Sequence, residues 1–205
     1  MTVVGAGGLL LIAFLVLGVT VADTTPTVDR IAAESLGGGW QHTAGDIAFV
    51  GSAVLGPVLP VLLGLGLLIG AWTRRHDARL RGLLLRAAVL LAVCRTVSLA
   101  KPLFERARPR EYPDFSFPSG HVVSVASVAF TVVVLCAWLA VRRLRAVVWW
   151  SVAAVAAAAL CRMVLDVHWL TDVLGATLGV VGLGLLTATG LGLLPVRSRS
   201  VGSRS

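Results

Sequence analysis

The sequence predicts an all-α fold, a bundle of six transmembrane helices whose polar residues of interest gather at the extracytoplasmic end. Three observations carry this. Hydrophobic residues make up 57% of the 205 residues and charged ones 14%, with a mean hydropathy of +0.90, which is too little polar surface for a water-soluble domain. The apolar residues fall in runs of roughly 17 to 25, the length that crosses a bilayer as a helix. The period-two alternation of a transmembrane barrel is missing, so each span must satisfy its backbone within a helix.

The spans read as 3–22, 47–72, 82–100, 121–141, 146–161 and 173–194. The first lacks a basic leading region, and Val21-Ala22-Asp23 is a poor cleavage site, so it reads as a retained helix. Residues 23–46 form a mixed loop with a short surface helix near 28–36 and a turn at Gly37-Gly38-Gly39. Gly175, Gly179, Gly182 and Gly184 in the last span suit a close helix contact, within the chain or between chains, which leaves a homodimer open. Residues 1–194 then form one domain, and 195–205, alternating Arg and Ser, a disordered cytoplasmic tail. Cys94, Cys136 and Cys161 show no CxxC spacing and read as small apolar fillers. The tryptophans sit mostly near span ends, as interfacial anchors.

The net charge of +8 would fit a nucleic-acid binder if it were clustered on a soluble face. It is instead a topology signal. Arg74, Arg75, Arg79, Arg81, Arg142, Arg143, Arg145, Arg197, Arg199 and Arg204 fall on one side of the membrane with a single acid, Asp77. By the positive-inside rule that side, with both termini, is cytoplasmic. The loops at 23–46, 101–120 and 162–172 are then extracytoplasmic, and no nucleic-acid partner is expected.

Three segments on that side hold the chemistry. Lys101, the one lysine beside 17 arginines, ends the third span, and Arg108-Pro109 follows. Two cations directed at one point suit a phosphoryl group, although snorkelling to the interface would account for either alone. Pro118-Ser119-Gly120-His121 opens a helix. Ser119 can cap it, Gly120 permits close approach, and the first turn offers unpaired amides to an anion. The third segment runs from Cys161-Arg162 to His168 and Asp172. If a helix has begun there, the four-residue spacing lets Asp172 accept from one imidazole nitrogen and leaves the other free as nucleophile or base. A helix-end ion pair is the plainer reading of that segment. Together the three make a single anion site the better one. No HExxH occurs, and the nearby cations would repel a metal ion, so neither metal nor cofactor is expected.

Arg95 lies inside the third span, about two turns below Lys101, and reads as paired with an interior acid or carbonyls, or as a second-layer or pyrophosphate contact. Asp166 is placed to position Arg162, and Arg106 and Arg110 flank the first segment as attractors of anionic substrates.

In order and spacing the motifs resemble those of the type 2 phosphatidic acid phosphatase superfamily, which also includes the vanadium haloperoxidases. Lys101, Arg108 and Pro109 match Lys-x6-Arg-Pro; residues 118–121 match Pro-Ser-Gly-His; Arg162, His168 and Asp172 match Ser-Arg-x5-His-x3-Asp, with Cys161 in the place of Ser. The motif core spans 101–175. The resemblance implies a metal-independent phosphatase. His168 would attack phosphorus, Asp172 orient it and His121 protonate the leaving group. Lys101, Arg108, Ser119, Gly120 and Arg162 would hold the phosphoryl oxygens. A site at the membrane edge suits a lipid phosphate. Undecaprenyl pyrophosphate ranks first, ahead of phosphatidate and phosphatidylglycerol phosphate. A vanadate-dependent peroxidase and a non-catalytic lipid transporter rank below these.

Overall fold

A computed structural model describes residues 2–36 and 39–194; Gly37, Gly38 and the predicted tail at 195–205 lie outside them. The regular structure of the described residues is all helical: α1 (Val3–Val21), α2 (Thr27–Leu36), α3 (Thr43–Val54), α4 (Val58–Thr73), α5 (Ala78–Arg95), α6 (Lys101–Phe104), α7 (Gly120–Leu139), α8 (Leu144–Val164) and α9 (Leu170–Gly190), with an irregular loop over 105–119. Six stretches are long and apolar enough to cross a membrane: Val3–Val21, Thr43–Thr73, Ala78–Phe104, Gly120–Leu139, Val141–Val164 and Leu170–Gly190. The predicted surface helix is present as α2.

The second span is not the single helix predicted. It breaks at Leu55-Gly56-Pro57, because Pro57 has no N–H to continue the ladder and instead opens α4 with φ −66°. The break lets α3 pack on α8 while α4 packs on α5. The third span is longer than predicted. Asp77 caps α5, accepting from the Arg79 and Leu80 amides at 3.1 and 3.0 Å. A tight turn over Thr96–Ala100 then carries the chain into α6, and Glu105, at φ 47°, stops it. The last span runs 170–190 rather than 173–194. It starts early on an Asp172 cap and ends at Gly192, where φ is 62° and the Leu193 amide donates back to the Ala188 carbonyl.

The core lies between α1, α5, α7 and α9. Phe14, Phe104 and Phe117 form its aromatic centre, with Phe14 stacked on Phe117 at 5.5 Å and Phe104 edge-on to both. Glycines let these elements close. A Cβ on Gly182 would stand 2.9 Å from the Leu11 amide nitrogen and 3.0 Å from the Gly7 carbonyl, so α1 and α9 touch backbone to backbone. Gly175, Gly179 and Gly184 are likewise covered by Phe117, by Val97 and Phe14, and by Phe130. The glycine stripe is therefore used within the chain and gives no argument for a homodimer. Gly175→Ala drives a methyl into the fully buried Phe117 ring, which three elements hold in place. It is expected to cost roughly 1–3 kcal/mol, read as a lower thermal unfolding midpoint in detergent.

Candidate active site

Three chain segments converge at one end of the bundle. Asp172, in the first turn of α9, is fully buried. Its Oδ2 accepts from the Trp169 amide at 2.8 Å, capping the helix, and lies 3.3 Å from His168 Nδ1. His168 itself precedes α9, so the four-residue spacing works through the capping turn rather than along a helix face. The tautomer follows from the partners. A carboxylate only accepts, so Nδ1 carries the proton. Arg108 only donates, and its Nη1 lies 3.2 Å from Nε2, so Nε2 presents a lone pair. That nitrogen is therefore the unprotonated one and faces the Arg108 guanidinium.

Burial lowers His168, and the Arg108 and Arg162 charges add to this. Together they outweigh the Asp172 carboxylate and bring the imidazole down to about 4 from its ordinary 6.5. The ring is therefore neutral at physiological pH. The neutral ring supports the fold fully above about pH 6.5, and that support is lost as pH falls toward 4. Nitrogen-15 NMR of the imidazole in micelles should show His168 unprotonated down to about pH 5. Titration near 6.5 would show that the ring is solvated.

Lys101 opens α6, and its ammonium donates to the Asp114 carboxylate and the Phe115 carbonyl. Arg108 donates to the Asp114, Val167 and Phe115 carbonyls at 2.6, 2.8 and 3.1 Å and stacks on Tyr112. Arg162, in the last turn of α8, donates to the Ser52 hydroxyl at 3.1 Å. Arg95 donates to the Gly120 carbonyl at 3.3 Å and the Ser124 hydroxyl at 2.9 Å, which realises the carbonyl pairing predicted for it. These four cations share a cavity of about 370 Å³ with Gly120, His121, His168 and Pro57. Gly56 is needed beside it, since a Cβ there would reach 2.7 Å from the Ser52 carbonyl and 3.2 Å from the His121 ring.

Ser119 occupies the cap position of α7, but its hydroxyl makes no capping bond. Among the described residues, Ser119 Oγ and Arg162 Nε are the buried side-chain polar atoms without a hydrogen-bond partner. An unmade buried hydrogen bond costs about 1–3 kcal/mol. Arg162 lines the cavity and Ser119 precedes Gly120, which also lines it, so each has a donor left over close to the cationic site.

Two sequence expectations change. Asp166 makes no bond to Arg162. It sits in a left-handed turn at φ 56°, with Arg110 as the charge acting on it, and Ser52 positions Arg162 instead. Arg106 attracts no substrate from the surface, being 2% exposed. Its guanidinium bridges Asp29 Oδ2 and Asp172 Oδ1, each at 2.6 Å, and donates to Thr171 Oγ1 at 2.7 Å. Asp29, at the start of α2, also accepts from the Thr171 amide and hydroxyl. This buried chain from Asp29 through Arg106 to Asp172 and His168 was missed in the sequence. The two-residue step from Arg106 to Arg108 gave no signal of it, since in extended backbone residues two apart share a face.

The family model of the PAP2 superfamily matches residues 81–191, more than half of the chain and all three motif segments. The chain belongs to the PAP2 superfamily. In fold it is also similar to a solved structure, that of the first transmembrane PAP2 type phosphatidylglycerolphosphate phosphatase from Bacillus subtilis. That similarity has a TM-score of 0.65 and 20% identity over 91% of this chain and 94% of the other. No curated protein matches the chain. The PAP2 match starts within α5, so Asp29, Ser52 and Gly56 reach the site from outside it.

Proposed function

We propose that this membrane PAP2 protein is a metal-independent lipid phosphatase that works through a phosphohistidine on His168. The observation that carries the reading is the Asp172–His168 pair, with Nε2 unprotonated, at a cavity lined by four cations. Nε2 attacks phosphorus as the bond to the leaving oxygen breaks, and His121 gives that oxygen its proton. Asp172 stabilises the imidazolium that forms. Water then attacks the phosphohistidine, His121 takes its proton, and inorganic phosphate leaves with Nε2 restored. Lys101, Arg108, Arg162, Ser119 Oγ and the first amides of α7 hold the phosphoryl oxygens, stabilising charge as it develops.

The substrate ranked first is undecaprenyl pyrophosphate. The cavity has Arg95, Lys101, Arg108 and Arg162 against the single acid Asp114, more positive charge than one phosphate needs, and Arg95 would meet the second phosphate. Phosphatidylglycerol phosphate is the second reading, favoured by the name of the similar solved protein, with phosphatidate behind it. An apolar groove of about 730 Å³ between α7, α8 and α9, which includes Leu170 and Val173, supports a lipid over a soluble ester. The arginine-rich loops at the other end of the bundle support an extracytoplasmic site.

The test is inorganic phosphate release by the detergent-purified protein, in EDTA, from each of the three lipids. Release from the diphosphate well above the others supports the first reading. Preference for phosphatidylglycerol phosphate selects the second. No release from any lipid would end the lipid phosphatase reading.

A further inference from the structure

Lys101 and Arg108 already have an anion. The Asp114 carboxylate accepts from the Lys101 ammonium and lies 3.4 Å from Arg108 Nη2. The side chains differ in burial in a telling way: Lys101 is 14% and Arg108 4% exposed, whereas Asp114 is 53% exposed. The acid is outermost, with the cations behind it. It stands where an incoming phosphoryl group must bind.

We propose that Asp114 is a specificity-determining residue: its carboxylate holds Lys101 and Arg108 until a phosphoryl group with two negative charges displaces it, and so excludes the singly charged phosphodiesters of the surrounding lipid. This rests on the phosphatase reading of the site. The displacement is a side-chain swing. The Asp114 and Phe115 carbonyls also accept from Arg108, and Phe115 from Lys101, so the cations keep backbone partners when the carboxylate leaves. The loop beyond is fixed, since the Ser116 amide donates to the Arg106 carbonyl at 2.9 Å and Phe117 is locked in the aromatic centre.

The charges set the selection. A released exposed carboxylate is rehydrated at little cost, but the two inner cations cannot go without an anion. A phosphodiester brings one negative charge, the same as Asp114, and gains nothing by exchange. A terminal phosphate brings close to two near neutral pH, and more oxygens to accept. Burial works against ionisation of Asp114. The Lys101 hydrogen bond and the Lys101 and Arg108 charges more than offset it and hold the carboxyl below its ordinary value, so the gate stays charged.

The experiment compares dissociation constants for inorganic phosphate and for glycerophosphoglycerol, a soluble phosphodiester, by calorimetric titration of the purified protein. The wild type should favour phosphate strongly. Asp114→Asn should shrink that preference at least tenfold, mainly by tighter diester binding, while Asp114→Glu keeps it. Asp114→Ser, which also removes the charge, replaces the Asn variant if that fails to fold. An unchanged preference, or parallel weakening of both ligands, would overturn the proposal and make Asp114 a residue that merely positions the cations. If the wild type still releases phosphate from lipids in that case, only the role of Asp114 falls. If it neither binds phosphate nor hydrolyses any lipid phosphate, the phosphatase reading falls and takes this role with it.

Discussion

Replacing His168 with Ala should lower phosphate release from the preferred lipid at least about 10⁴-fold, the scale on which loss of a nucleophile acts. The size follows from the geometry. The buried Asp172 carboxylate holds His168 through Nδ1, which leaves Nε2 unprotonated beside Arg108 at the cationic cavity. The cations left behind would still bind phosphate but could not form the covalent intermediate. Two measurements check this: steady-state release in EDTA, and acid-labile phosphate on the protein after rapid quenching. Binding of inorganic phosphate should survive in the variant, because Lys101, Arg108 and Arg162 remain. Unchanged turnover would remove His168 as the nucleophile.

Arg106→Met is expected to damage stability and activity together. The guanidinium is the counter-charge of two carboxylates, Asp29 and Asp172, both 0% exposed. Removing one member of a buried ionic network leaves uncompensated charge and costs about 3–5 kcal/mol. The thermal midpoint in detergent should fall accordingly. Turnover of the protein that does fold should drop at least about 100-fold, because Asp172 loses the partner that fixes the carboxylate orienting His168. Adding Asp29→Leu leaves one unpaired carboxylate instead of two. It should therefore recover part of the stability and none of the activity. Recovery of both would mean that Arg106 acts only on the fold.

The sequence already contained the class of fold and many of the residues that converge at the candidate site. Hydropathy and run length found six spans because lipid makes the same demand on each helix, whatever its neighbours. Spacing found Lys101, Arg108, His121, Arg162, His168 and Asp172 because ionisable residues at a membrane edge stand out against an apolar chain. The same local logic placed the short helix at 27–36 near its true limits.

Only the tertiary structure decided what depends on who faces whom. Asp29 is an acid in the first turn of an amphipathic helix, and by itself it reads as solvated; contact with Arg106 and Thr171 buries it. Ser52 becomes a site residue through a helix break whose consequence lies 110 positions away, at Arg162. Asp114 is an ordinary loop acid until folding sets it across Lys101 and Arg108. Sequence alone fixes properties that each segment carries within itself: length, polarity and the spacing of charged groups. Pairings between distant segments come from packing, since a hydrogen bond or ion pair across a hundred residues leaves no period in the chain to read.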